Sequence, residues 1–329
     1  MNTPIQHASA HDTPTDETLQ DESRTPRGRK AHQSRRPKLP LKASYEASAE
    51  VQLWLKLQAQ EHIGVKPEFT PTFLAHQRDR PWLLSSLSQF YEDDLITDVL
   101  QMVKSGKEAS VYCCAAHPST GADYLAAKVY RPRMFRGLRN DALYRESRAL
   151  YDADGHEVRD RRHIRGAIKK TERGKAVEIG SWIRYEFETQ RLLYEAGADV
   201  PKPYAQMGNA MLMEYVGVEI DAAPLLREVT LERDEANALF ARVLRNVELF
   251  LACDRIHGDL SAYNVLYRQG DMSIIDFAQA VDPRYNLDVF PLLARDVERV
   301  CRYFARYDIA ADAGMIARDL WVHYMGSVL

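Results

Sequence analysis

Hydrophobic positions change period several times along the chain, and each change marks an element. After Tyr45, Val51, Trp54 and Leu55 recur on one helical face, and Leu83, Leu84, Leu87 and Tyr91 repeat the pattern behind Pro81, so residues 44–94 read as a helical N-terminal extension. The period then shortens. VLQMVK, VYCCAA and DYLAAKVY, separated by SGKEAS and HPSTG, read as three strands and two polar turns that open an antiparallel sheet. Residues 131–175 hold 14 Lys or Arg against seven Asp or Glu without a core face, and are expected to form a long mobile insertion with a helix near 139–150. WIRYEFETQRLLYEAG is an amphipathic helix that turns Ile183, Phe187 and Leu193 inward and stops at Gly197. Tyr204–Met207 and Met211–Val216, split by Gly208 and Asn209, form a hairpin. A long helix over 231–254 (Leu239, Val243, Val247, Phe250, Leu251) and a helical last third (Leu292, Val297, Val300, Phe304) complete the pattern.

Composition narrows the class. With 329 residues and 45% hydrophobic content the chain builds about two folded units, and a net charge of -3 argues against a surface that coats nucleic acid throughout. Residues 1–43 are a polar tail that turns basic, with eight Lys or Arg and no acid between 24 and 42, which suits either RNA phosphates or simple solubilisation. Cys113, Cys114, Cys253 and Cys301 form neither a disulfide framework nor a zinc spacing, which favours a reducing, cytoplasmic setting. No apolar run of membrane-spanning length occurs, and the first twenty residues lack the basic start and apolar stretch of a secretion signal.

Candidate chemistry concentrates in HGDLSAYN (257–264) and in IIDFAQAV, which carries Asp276. Asp259 and Asn264 lie five apart on a loop between a helix and a strand, and Asp276 follows the next hairpin strand. Oxygen ligands in small number, completed by phosphates and water, suit magnesium. In phosphoryl transfer the first Asp orients or deprotonates the attacking hydroxyl, while the Asn and second Asp hold metal against a triphosphate. Lys128 occupies an inward position of a strand, where an unpaired ammonium is costly and a phosphate is a natural partner; a snorkelling edge lysine is the plain alternative. Glu186 on the following helix is the candidate carboxylate that steers it. The turn SGKEASVY has a single glycine and no Walker motif exists, so alone it is a polar hairpin. Between two strands it lays backbone N–H groups and the Ser105 and Ser110 hydroxyls over phosphate oxygens, and the nucleotide-binding set expected there is Ser105, Gly106, Lys107, Ser110 and Val111. Met213, Glu214 and Val216 of MEYVG sit where the chain crosses between lobes, either as core and rim residues or with backbone groups at an adenine edge.

These motifs, with AAKVYR, YEFETQRLLYEAGADVPKP, LMEYVG, DFAQAVDP and LLARDVERVCRYF, resemble the RIO kinases, an atypical branch of the protein-kinase-like fold, over residues 95–310. LSAYN and DFAQ separate the chain from ordinary protein kinases and from aminoglycoside-phosphotransferase-like enzymes, and the GKEA turn is most similar to the first RIO subfamily. The resemblance implies an α+β, two-lobed fold: an N-lobe over 95–217 interrupted by the insertion, and a short, mostly helical C-lobe over 218–329. It implies ATP and Mg2+ or Mn2+ as cofactors, with Lys128 on the phosphates, Glu186 paired with it, Asp259 as catalytic acceptor, Asn264 and Asp276 on the metal, and Glu214 with Val216 at the adenine. It further implies Ser/Thr kinase activity, including autophosphorylation with Ser147 and Ser181 as the serines in or near the insertion, or ATP hydrolysis through a phospho-aspartate at Asp276. A link to maturation of the small ribosomal subunit follows, with RNA contact through tail and insertion. Only 53 residues follow Asp276, too few for the usual peptide-docking helices, so the expected protein substrate is held elsewhere or is the chain itself. A nucleotide-switched RNA-binding assembly factor and a small-molecule kinase are the alternative readings.

Overall fold

The computed structural model describes residues 66–75, 79–131, 172–285 and 287–328. The polar tail, the pattern around Trp54, most of the charged insertion and Ser147 lie outside the described residues.

Five antiparallel strands form one sheet in the order β1-β2-β3-β5-β4: β1 (Ile96–Ser105), β2 (Ala109–Ala116), β3 (Tyr124–Tyr130), β4 (Pro203–Met207) and β5 (Ala210–Glu214). β3 is central, and its two sides enter different cores. Leu125, Ala127 and Val129 pack with Leu83, Leu87 and Phe90 of α1 (Arg80–Glu92), whereas Ala126 and Tyr130 pack with Ile183 and Phe187 of α2 (Glu172–Glu195). Burial on both faces explains why YLAAKVY is nearly continuous in apolar residues rather than alternating. The buried stripe of α1 is Trp82, Leu83, Leu87 and Phe90; Leu84 and Tyr91 stand at its margin.

The extension departs from the helical expectation ahead of α1. Residues 66–75 carry no helix and run beside β1, where Phe73 N–H donates to the Val99 carbonyl at 2.9 Å and Asp98 accepts from the Thr72 amide at 2.7 Å. These contacts cover part of an edge strand that would otherwise expose unpaired backbone groups.

α2 begins at Glu172, inside the span assigned to the insertion, and belongs to two cores. Ile183 and Phe187 face the sheet, but Tyr185 and Leu193 join the helical core below it. Ser181 is buried at 5% exposure, so the structure removes it as an accessible modification site. Gly197, at φ +80°, takes a left-handed conformation that side-chain-bearing residues rarely adopt, which lets the chain reverse after the helix.

Below the sheet, α3 (Arg233–Ala252), α4 (Phe290–Phe304) and α5 (Ala313–Val328) share one core with buried residues of β8 (Val265–Arg268) and β9 (Asp271–Ile274). The short ribbon β6 (Gly217–Val218) and β7 (Asp221–Ala222) follows the crossing from β5. Val243, Val247, Phe250, Val297, Val300 and Phe304 interdigitate in this core. A single bridge between Ile256 and Val281 pins the start of the 257–264 loop against the chain leaving β9.

Candidate active site

Lys128 stands on β3 in register with Val111 on one side and Met211 on the other. Its ammonium donates to Glu186 Oε1 at 2.6 Å and to Asp276 Oδ1 at 2.8 Å, so one cation joins the sheet, α2 and the chain after β9. Two residues on, Tyr130 presents its hydroxyl to the other Glu186 oxygen and its ring to the ammonium, 5.3 Å from the centroid. Trp182 packs edge-on against that ring at 5.4 Å. With both carboxylate oxygens of Glu186 engaged, its rotation is blocked. Burial alone would lower the Lys128 pKa, but Asp276 and Glu186 together raise it, and the lysine stays charged. Burial raises the pKa of Glu186 against the pull of Lys128, whereas Lys128 holds Asp276 below the ordinary carboxylate range.

The 257–264 loop is held from beneath. Asp296 on α4 accepts from the Gly258 amide at 2.7 Å and the Leu260 amide at 3.0 Å, and Arg295 donates to the Gly258 carbonyl. His257 is buried against Phe277, with ring centroids 4.9 Å apart. Burial lowers its pKa, and the neutral ring donates from Nε2 to the Ile275 carbonyl at 3.2 Å while Nδ1 accepts from the Asp259 amide at 3.3 Å. The Asp259 side chain is 48% exposed at the mouth, with Oδ1 2.6 Å from Arg299 of α4. Asn264 Nδ2 donates to the Asp259 carbonyl at 2.9 Å, which leaves its Oδ1 to meet a cation. Asp276 adopts φ 71°, ψ 70°, a left-handed conformation uncommon for a side-chain-bearing residue, and its carboxylate is 44% exposed.

The SGKEASVY turn is arranged differently from the phosphate-cradling expectation. Gly106 N–H closes on the Ala109 carbonyl at 2.9 Å, and a Cβ on Gly106 would sit 2.9 Å from that same oxygen, so glycine is required there. Lys107 is exposed at the tip, and Val111 is half-buried on the side of Tyr130 and Ile183. The hydroxyls of Ser105 and Ser110 accept from Arg131, at 2.7 and 2.7 Å from Nη2. Ser110 is itself buried, so an ordered guanidinium stands where free hydroxyls were expected. Met213 is buried with Ala126, Met211 and Phe187. Glu214 N–H donates to the Lys202 carbonyl at 2.7 Å and the Val216 carbonyl accepts from Ala223 at 2.9 Å. Both residues border a polar cavity of about 190 Å³ that also touches Asp199, Arg242, Arg268 and Asp271.

Sequence reasoning passed over Tyr130, Arg131, Asp296 and Arg299. Asp296 had a signal: it lies on the apolar stripe of α4 between Leu293 and Val297, where an acid needs a buried partner. Burial pushes its carboxyl from 3.8 up to about 7, against the two amides and Arg295. An acid whose folded pKa is raised destabilises the fold progressively as pH climbs from the unfolded value to the folded one. The melting temperature of Asp296→Asn relative to wild type is therefore expected to shift in favour of the variant between about pH 4 and about pH 7, and to level off above. Parallel melting curves across that range would contradict a buried, titrating Asp296.

An antiparallel sheet carrying a buried lysine–glutamate pair, set over a helical half whose loops carry Asp259, Asn264 and Asp276, is the two-lobed architecture of the protein kinases. Within that architecture the chain belongs to the RIO domain family, which matches residues 140–315. It is 32% identical over 214 residues to the RIO-type serine/threonine-protein kinase Rio1 of Haloferax volcanii, covering 64% of each chain. It is 28% identical over 204 residues to the serine/threonine-protein kinase RIO1 of Caenorhabditis elegans, covering 61% of this chain and 36% of the relative. The chain thus spans under two thirds of the length of these relatives. Among solved structures it is similar to the Rio2 kinase-ADP/Mg2+-phosphoaspartate complex from Chaetomium thermophilum, with a TM-score of 0.50 at 19% identity over 82% of this chain and 74% of that one.

Proposed function

We propose that the chain is a metal- and ATP-dependent serine/threonine kinase of the RIO type. The observation that carries this reading is the single Lys128 ammonium bound to both Glu186 and Asp276, beside a loop that presents Asp259 and Asn264. ATP is the substrate whose phosphates answer the lysine, and its base edge meets the Glu214 carbonyl and the Val216 N–H. Asp276 and the Asn264 amide oxygen are the donors that would hold Mg2+ or Mn2+. Among the described residues no group of three or more His, Cys, Asp or Glu suits a metal, so phosphate oxygens would complete the shell. When bound, the ion neutralises charge on the transferring phosphoryl group. Asp259, half-exposed at the mouth, orients the acceptor hydroxyl and receives its proton. The half-exposed Asp276 carboxylate on Lys128 also supports a second reading, ATP hydrolysis. There a carboxylate oxygen takes the γ-phosphoryl group, ADP departs, and water then cleaves the acyl phosphate. A role beside the small ribosomal subunit, with RNA contacts through residues 24–42 and the insertion, belongs to the same proposal, as does a cytoplasmic setting. Among the described residues no helix is long and apolar enough to cross a membrane.

The test measures phosphate release and protein-bound label from γ-labelled ATP with Mg2+, with Mn2+ and with EDTA. Turnover is expected with either ion and absent with EDTA. Absence of ATP turnover under all three conditions removes the proposal, and label found on a sugar or aminoglycoside but never on protein replaces it with a small-molecule kinase.

A further inference from the structure

The kinase reading leaves one contact without a use: the carboxylate that must meet the acceptor hydroxyl already has a cation on it. Arg299 Nη1 lies 2.6 Å from Asp259 Oδ1, and Asp259 Oδ2 stands 3.5 Å from Asn264 Nδ2. A hydroxyl that meets Oδ1 therefore shares or displaces the guanidinium, and one that meets Oδ2 finds a carboxylate whose charge is already matched by a cation. The pair sits at the surface, with side chains 35% and 48% exposed, and exposed pairs of this kind are weakly held. Exchange of partners is consequently easy, provided that the incoming molecule brings an anion of its own.

The surroundings favour such an anion. Arg227 donates its backbone N–H to the Ala262 carbonyl of the same loop and lays its guanidinium over the exposed Tyr263 ring, 4.2 Å from the centroid. Arg295 reaches the Gly258 carbonyl from below. Of the acids in this region, Asp296 is buried on two amides, Glu298 is paired with Arg302, Glu228 accepts from the Leu225 amide, and Asp276 is paired with Lys128. A guanidinium fork carries five donors and matches a carboxylate bidentately, so Arg299 can turn from Asp259 to a substrate carboxylate without losing charge compensation.

Building on the kinase reading above, we propose that Arg299 is a specificity-determining residue that selects polypeptide segments in which the acceptor serine is flanked by aspartate or glutamate. Such a segment draws Arg299 off Asp259 and frees the carboxylate for the hydroxyl in one exchange. A serine flanked by lysine or arginine leaves Arg299 in place and adds like-charge repulsion.

The experiment compares the full chain with Arg299→Gln, Arg299→Glu and Arg302→Gln on three serine peptides with acidic, neutral or basic flanks, and measures kcat/KM for each while following phosphate release and self-labelling in parallel. Arg302 lies one turn further along α4 and is 72% exposed, which makes it the control for general surface charge. Wild type is expected to prefer the acidic over the neutral peptide about tenfold, the worth of one charge-assisted hydrogen bond. Arg299→Gln brings that ratio to about one, Arg299→Glu turns the preference towards the basic peptide, and Arg302→Gln keeps the wild-type ratio. The proposal is overturned if wild type does not discriminate, if Arg299→Gln retains the preference, or if Arg302→Gln loses it equally. Self-labelling without labelling of any peptide overturns it too while the kinase reading stands, whereas absence of ATP turnover in wild type removes that reading itself.

Discussion

Phosphoryl transfer by Asp259→Asn is expected to fall about 10²- to 10⁴-fold, the range set by removing a positioned proton acceptor. Asparagine keeps the size and one oxygen of the side chain, so the contact to Arg299 survives in weakened, uncharged form. The residue is half-exposed, and the loop beneath it is held through the backbone of Gly258 and Leu260 rather than through this carboxylate. Folding and ATP binding should accordingly stay near wild type, and the loss should appear in kcat, with KM for ATP little changed. Single-turnover transfer measured beside equilibrium ATP binding separates the two. A variant that transfers phosphate at the wild-type rate would take Asp259 out of the chemistry and leave the Asp276 route as the working one.

The second large effect concerns stability. In Lys128→Met the methylene stem is preserved, but Glu186, 2% exposed, loses its cation and, among the described residues, retains the Tyr130 hydroxyl. Removing one member of a buried pair costs about 3–5 kcal/mol. The size should depend on pH in a defined direction. Burial already raises the Glu186 pKa above 4.5 and Lys128 opposes the rise, so without the lysine the carboxyl is driven further up. Its penalty is absent below the unfolded value of 4.5 and grows as pH climbs from there towards the folded one, so the deficit against wild type widens with rising pH. Denaturant unfolding at several pH values reads it directly. A deficit that shrinks with rising pH would mean that Glu186 is not the group left stranded.

Much of this arrangement was legible in the order of residues. Strand and helix periods differ enough to separate β1–β3 from α2 and α3, and the spacing of His257, Asp259, Asn264 and Asp276 limits them to two neighbouring loops. Lys128 on an apolar strand demanded a buried counter-charge, and Glu186 stands 2.6 Å from it. Other features depend on distances along the chain that no local pattern encodes. Arg299 meets Asp259 only because α4 folds back under the loop, and its position on a helix with many charges gave no sign of that. Arg131 reads as the first of many basic residues in the insertion, yet the end of β3 aims it at Ser105 and Ser110. Residues 66–75 read with the helical extension, but contacts to Asp98 and Val99 of β1 outweigh local propensity.

The split loyalty of α2 has a mechanical corollary. Tyr185 and Leu193 are anchored among the lower helices, and Arg255 ties Thr189 of α2 to the same half through Asp282, at 3.2 and 3.0 Å. Withdrawing Glu186 by swinging this helix outward would tear open the lower core as well as the ion pair. On the kinase reading, a rotational off-state of this helix would therefore cost packing in both cores rather than in one.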